Sequence, residues 1–371
     1  MIISKSSETI NLASNSQIDT LRIGVALAST LYQNRTNVWF RGELGAGKTT
    51  FVQGLGVGLG LGEKMNSPTY AIENRYGEKF LHVDLYRLDA PEAQRMVEES
   101  ENFPGVRAIE WSERMFSSRE SRQSGTNREA STENFSTPRP SSARDSSLEE
   151  NDIFITISEL SECQRSIEIT FKDIPLPSRS DVEIWRKEVR LPQHIIRHCD
   201  AVAGMSAKLG AELLKRGIPL RPLALTRAAE LHDLLRFVDF KPHVHQKIPD
   251  AKETDPETEA LWNTIRKKYP AEHEAACMEF LKEQGYPELG EIIRPHGLQS
   301  IVEEPETIKT IEQKLLYYAD MRVRFEEEVS IDERFDEFIE RYGDGVESDW
   351  AKTARERTKK LEQELLGNSV L

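Results

Sequence analysis

The chain has 371 residues, a net charge of −14, a pI near 5.3, and only three cysteines, Cys163, Cys199 and Cys277. The length exceeds the roughly 100–200 residues of one ordinary domain and leaves room for two cores. The acidic balance argues against a surface that grips nucleic acid by itself, and three cysteines without a CxxC argue against a disulfide scaffold or zinc ribbon and suit a reducing cytoplasm.

The opening MIISKSSETINLASN lacks the apolar run of a signal peptide, and no stretch approaches the ~20 apolar residues of a membrane span, so a soluble cytoplasmic protein without membrane contact is expected. NVWFRGELGAGKTTFVQGL then predicts a short strand over Val38–Phe40, a glycine-rich loop and a helix. The loop, Gly42-Glu43-Leu44-Gly45-Ala46-Gly47-Lys48-Thr49 with Thr50 behind it, has the Walker A spacing and the strand and helix that spacing needs. Its backbone N–H groups would face the β-phosphate, Lys48 would reach the β- and γ-phosphates, and Thr49 would ligate Mg²⁺. The bland alternative is a glycine turn. Farther on, KFLHVDLYRL and VRAIEWSE set Asp84 and Glu110 at the ends of apolar strands. A carboxylate there suits Mg²⁺ or a catalytic water, or is a capping or solvated acid.

Residues 117–150 are rich in Ser, Arg, Glu and Pro with almost nothing apolar, which predicts a disordered insertion. IFITISEL and SIEITF follow, alternating as a β-hairpin that returns to the first domain. PLPSRSDVEIW reads as a linker over 176–187, and the remainder has apolar residues at helical spacing, predicting an all-α second half from 188 to 371. There His198 opens HCDAVAGMSAKL, a helix with Val202, Met205 and Leu209 on one face; His232 and Asp233 lie in the helical TRAAELHDLLRF; His273, His296 and Asp320 follow. A lone histidine is more often a core residue than a ligand. The series carries more weight, with His194, His243 and His245 as alternatives or bystanders.

GELGAGKTT, NSPTYAIENRY, LHVDLYRL and IEW, in that order, resemble the TsaE ATPase family, over about residues 1–116 plus the hairpin. The resemblance implies an α/β P-loop NTPase domain with a largely parallel sheet, occupying 1–175. It also implies Mg-ATP hydrolysis in support of N6-threonylcarbamoyladenosine formation on tRNA, with TsaB and TsaD homologues as partners and tRNA met through them. By position, Lys48 and Thr49 bind phosphate and Mg²⁺, Thr69 lies in a switch-like loop, Asp84 is the acid of the HxD motif, and Glu110 with Trp111 completes the site; Trp111 reads equally as a core aromatic.

The order H, HD, H, H, D resembles the HD-domain phosphohydrolases, over roughly 188–370, and implies a helical bundle with a metal site. In that reading His198, His232, Asp233 and Asp320 hold one metal, and His273 and His296 with a bridging Asp233 hold a second, the ligand mix suiting Fe, Mn, Co or Zn. Arg236 stands where the family often has a lysine and is the candidate for a phosphate oxygen, although Leu235 replaces the usual glycine beside it. The two resemblances together imply a fused ATPase and metal-dependent phosphohydrolase, the latter acting on a small nucleotide such as AMP. Two rivals remain: an alarmone or dinucleotide hydrolase governed by a P-loop switch, and a degenerate helical docking module.

Overall fold

The computed structural model describes residues 7–32, 35–62, 65, 71–116, 152–240, 254–342 and 345–367. Thr69, the 117–150 insertion, His243 and His245 lie outside the described residues.

A seven-stranded sheet is built from β1 (Glu8–Ser14), β2 (Thr36–Arg41), β3 (Glu73–Tyr76), β4 (Phe80–Asp84), β5 (Val106–Glu110), β6 (Asp152–Glu159) and β7 (Arg165–Phe171). The strand order is β1-β7-β6-β2-β5-β4-β3. β6, β2, β5 and β4 run parallel, while the β6–β7, β7–β1 and β3–β4 pairs are antiparallel. The expected largely parallel sheet is thus mixed, parallel at its centre and antiparallel at both edges, because the β3–β4 and β6–β7 hairpins turn back without a crossover.

Every residue of β4 and β5 is buried, as in parallel strands covered on both faces. Successive residues serve opposite layers. Val38 and Phe40 pack with Ile23 and Leu27 of α1 (Gln17–Ala28) and Phe51 and Leu55 of α2 (Lys48–Gly58). Trp39, between them, packs with Ala93 and Val97 of α3 (Ala90–Glu99).

Beyond β7 come α4 (Arg179–Glu188), α5 (Gln193–Lys215), α6 (Pro222–Leu231), α7 (Pro256–Lys268), α8 (His273–Glu283), α9 (Pro287–Ile293), α10 (Leu298–Glu303), α11 (Ile311–Met321), α12 (Ile331–Tyr342) and α13 (Asp349–Leu366). They share one apolar core, in which Val202, Met205 and Leu209 of α5 are buried together as their spacing predicts. Two expectations are corrected. The stretch read as a linker forms α4, started by a reciprocal Ser178–Asp181 capping box and held by buried Val182 and Trp185. The second half also contains a short ribbon, β8 (Val323–Arg324) with β9 (Glu327–Glu328). No helix among the described residues is long and apolar enough to cross a membrane.

Candidate nucleotide and metal sites

At the first site, β2 leads into the glycine loop and α2 begins at Lys48 with no side-chain cap. Uncapped first-turn N–H groups make this helix end receptive to an anion. Gly42 and Gly47 have φ of 137° and 107°, and a Cβ on Gly42 would lie 2.3 Å from the Ile157 carbonyl oxygen, so both turns require glycine. Glu43, Leu44 and Gly45 are exposed, Ala46 is buried, and Thr50 is half-buried in the first turn of α2.

Lys48 is folded back onto its own loop: Nζ donates to the carbonyls of Gly42 (2.7 Å) and Glu43 (3.0 Å) and stands 3.6 Å above the Trp111 ring. Burial lowers its pKa, opposed by the charges of Glu110, Glu113, Asp84 and Glu43. Asp84 and Glu110 are register partners on adjacent strands, so both side chains leave the same face. Thr49 Oγ1 donates to Glu110 Oε2 (3.0 Å), and His82 Nε2 lies 2.8 Å from Glu110 Oε1. Asp84 accepts from the Tyr86 N–H at 3.0 Å. The loop, its lysine and threonine and the two strand-end acids therefore converge. His82, which sequence reasoning passed over, orients Glu110; its signal was position, two residues before Asp84 and thus on the same strand face. Trp111 has φ +62°, a left-handed backbone uncommon for a bulky residue, and its ring meets Tyr86 at 4.8 Å as well as Lys48.

The second site lies in the helical half, on the floor of a cleft of about 700 Å³. His198 comes from α5, His273 from the start of α8, His296 from the short 3₁₀ turn after α9, and Asp320 from the last turns of α11. His232 and Asp233 were expected inside a helix, where neighbours point apart. In the structure α6 ends at Leu231 and His232 is its C-cap, so the chain turns and both side chains reach the site. His198, His232 and Asp233 can each place one ligand atom within 4.8 Å of the others, and so can Asp233, His273 and His296. Asp320 Oδ1 lies 2.9 Å from His198 Nε2 and 3.7 Å from His232 Nε2.

The outer nitrogens explain the orientation of the inner ones. Nδ1 of His198 faces the Phe325 carbonyl (2.9 Å), that of His232 the Ala229 carbonyl (2.8 Å), that of His296 the Ile293 carbonyl (2.8 Å), and that of His273 the Asp239 carboxylate (2.5 Å). Acceptors at Nδ1 fix each ring so that its Nε2 faces inward, where a metal ion would take the Nε2 lone pair. His273 Nε2 and His296 Nε2 lie 3.1 Å apart, and the buried His232 Nε2 makes no hydrogen bond. Converging nitrogen lone pairs beside two carboxylates are a donor set suited to Fe, Mn, Co or Zn.

Burial would raise the Asp233 carboxyl, yet His232, Arg236, His273 and His296 hold it well below the usual carboxylate range. Asp320 behaves likewise, with His198 and His232 overcoming burial. Burial pushes His296 down. Arg236, expected to meet phosphate, lies across His273 with Nη1 2.8 and 3.0 Å from its ring nitrogens, and it lines the cleft. Asp239 and Glu274, whose carboxylates are 2.5 and 3.1 Å from His273 Nδ1, were missed from sequence, as was the Phe325 carbonyl. Glu274 adjoins His273, which was a local signal; Phe325, at φ +57° beside the unexpected ribbon, had none. His194 belongs to none of the three ligand-type groups among the described residues, the third being Asp239, His273 and Glu274. The outer wall of the cleft, from α12 and α13, mixes aromatic Phe335, Phe338 and Trp350 with Arg334 and Arg341.

Residues 14–135 match the family model described as threonylcarbamoyl adenosine biosynthesis protein TsaE. Curated relatives named tRNA threonylcarbamoyladenosine biosynthesis protein TsaE are similar to part of the chain. The one from Nostoc sp. is 45% identical over 26% of this chain and 64% of its own length. The Synechocystis sp. relative is 46% identical over 22% and 56%, and that of Treponema pallidum is 38% identical over 28% and 79%. The chain thus spans under two thirds of the first two relatives and over three quarters of the third. Among solved structures, the crystal structure of Bacillus subtilus YdiB is 19% identical with a TM-score of 0.30, covering 45% of this chain and 88% of that one.

Proposed function

The chain belongs to the TsaE family through residues 14–135, and from that premise we propose a bifunctional protein divided near residue 175. The first part binds and hydrolyses Mg-ATP in support of threonylcarbamoyladenosine formation on tRNA, working with TsaB and TsaD homologues and meeting tRNA through them. Lys48 leaves its carbonyl contacts for the β- and γ-phosphates, the glycine loop and α2 N–H groups hold the phosphate chain, and Thr49, Asp84 and Glu110 surround the Mg²⁺ position. Trp111 shields the lysine.

The helical part, in the same proposal, is an HD-type metal-dependent phosphohydrolase acting on a small nucleotide such as AMP. One observation carries it: four imidazoles with anchored Nδ1 atoms aim Nε2 at two carboxylates. His198, His232, Asp233 and Asp320 would hold one ion, and Asp233, His273 and His296 a second. Bound there, such ions supply Lewis acidity toward a phosphoryl oxygen and toward water. The chain's own part is to fix the ligands, to offer Arg236 to a phosphate oxygen, and to cover an aromatic base with Phe338 and Trp350 at the cleft wall. A cleft of about 700 Å³ also admits a dinucleotide or alarmone, which keeps that second reading in play.

The test is metal analysis of purified protein, then phosphate release from a panel of mononucleotides, dinucleotides and alarmones, with Asp233→Ala and Lys48→Ala beside wild type. Activity lost in Asp233→Ala but kept in Lys48→Ala supports the metal reading and identifies the substrate. Metal-free protein with only Lys48-dependent ATP hydrolysis refutes it. Co-purification of TsaB and TsaD homologues checks the partner proposal.

A further inference from the structure

Two helices that carry metal-site residues begin at the contact between the sheet half and the helical half. α6 starts just after Arg221 and ends at the His232–Asp233 doublet, a span of about 15 Å for ten residues. Its first N–H groups are held from the other half: Glu8 of β1 accepts from Leu223 N (2.7 Å) and Ala224 N (3.4 Å). α11 starts at Ile311, whose N–H donates to the Ser29 carbonyl at the end of α1 (3.0 Å), and carries Asp320 near its far end. Tyr32 Oη bonds both Thr310, the cap of α11, at 2.5 Å and Glu312 at 2.9 Å.

Arg221 joins these contacts into one buried cluster. Its guanidinium meets Asp173, just past β7, at 2.5 and 3.2 Å, the Thr30 carbonyl at 2.6 Å and Glu312 at 3.3 Å, and its backbone N–H also donates to Glu312. Arg221 is 1% exposed and Glu312 fully buried. Charges so enclosed have no water to replace a lost partner, so their geometry is held tightly.

From Leu21 to Ala28, α1 is packed on the helix that follows the phosphate loop. α2 begins at Lys48 and packs on α1 backbone to backbone: a Cβ on Gly24 would lie 2.3 Å from the Phe51 carbonyl oxygen, one on Gly54 2.1 Å from that of Leu21, and one on Gly58 2.5 Å from that of Val25. At these positions the two backbones are in direct contact, with the Ala28 Cβ beside Gly58 and buried Ile23, Leu27, Phe51 and Leu55 packed around them, so a shift of one helix is passed to the other. The contiguous series is phosphate loop, α2, α1, the Ser29–Thr30–Tyr32 corner, then α6 and α11.

We infer that nucleotide occupancy at the phosphate loop and the conformation of the metal site are coupled, with α1 as the transmitting element and the Arg221 cluster as the joint. The inference rests on the nucleotide reading of the loop, and it holds whichever metal or substrate the second site takes. A nucleotide that draws Lys48 off the Gly42 and Glu43 carbonyls moves the first turn of α2; α1 follows, and the origins of α6 and α11 with it. By reciprocity, ligand at the second site changes nucleotide affinity by the same factor.

The experiment is amide hydrogen exchange on the full chain with and without saturating ADP, with binding followed separately by a fluorescent ADP analogue. The expected result is an ADP-dependent change in exchange of ~5-fold or more in peptides covering 221–233 and 310–321. Tyr32→Phe, which keeps the ring but removes both hydroxyl bonds, should bind the analogue as wild type does and lose most of that change. ADP binding that alters only peptides around the phosphate loop overturns the coupling while leaving the nucleotide reading intact. Absence of ADP binding overturns both, and an undiminished response in Tyr32→Phe refutes the Arg221 cluster as the joint.

Discussion

Glu8 gives the contact between the halves a dependence on pH. Burial, opposed by the Leu223 N–H, Arg221 and the Ala224 N–H and reinforced by Glu312, raises its carboxyl from 4.5 to about 7. In the unfolded chain it ionises near 4.5, so between the two values only the unfolded state releases the proton. Its contribution is fully present below pH 4.5 and is lost as pH rises to about 7, above which both states are ionised. At 1.36 kcal/mol per unit the loss is about 3 kcal/mol, and solvent reaching this partly covered side chain trims it to roughly 2–3 kcal/mol. Many groups titrate over this range, so the assay compares wild type with Glu8→Gln, whose amide oxygen still accepts from α6. Urea unfolding from pH 4.5 to 8 should show the stability of wild type falling relative to Glu8→Gln by that amount up to pH 7 and then holding level. A constant difference, or wild type gaining as pH rises, would refute the reasoning.

Replacing Arg221 by Met leaves Asp173 and Glu312 buried without their cation and should cost about 3–5 kcal/mol in urea unfolding; adding Asp173→Asn and Glu312→Gln should recover most of it. A cost below 1 kcal/mol would mean that the cluster is not the joint. Gly54→Ala drives a Cβ toward the Leu21 carbonyl oxygen and should destabilise by about 1–3 kcal/mol despite the better helix propensity of alanine; an unchanged melting temperature would count against backbone contact of α1 with α2. Combining Asp239→Ala with Glu274→Ala strips His273 Nδ1 of both carboxylates and should weaken Mn²⁺ or Co²⁺ binding ~10–100-fold by calorimetry, whereas unaltered affinity would argue against a metal at His273.

The geometry of the candidate nucleotide site was largely legible because its parts are local. A strand, a glycine turn and a helix start within about a dozen residues suffice for a phosphate loop, and Asp84 and Glu110 announced themselves as acids ending apolar strands. The metal-type ligands were legible as an order of residues, not as an arrangement. His198 and Asp320 are 122 residues apart in the chain, and only the crossing of α5 with α11 brings them to 2.9 Å. The carbonyls and carboxylates behind the histidines were hidden for a related reason: Phe325 acts through its backbone, and any residue type has a carbonyl.

Composition and short-range spacing therefore determined that this chain has an α/β half with a phosphate loop and a helical half rich in histidine, since patterning and turn chemistry are written within a few residues. Tertiary structure alone decided three things: that the expected linker packs as α4, that β1 and β3 pair antiparallel at the sheet edges, and that Arg221 joins the halves. Each depends on which surfaces meet at long range. A capped amphipathic segment becomes a helix when a core accepts Trp185, and an arginine becomes a buried joint only when Asp173, Glu312 and the Thr30 carbonyl close around it.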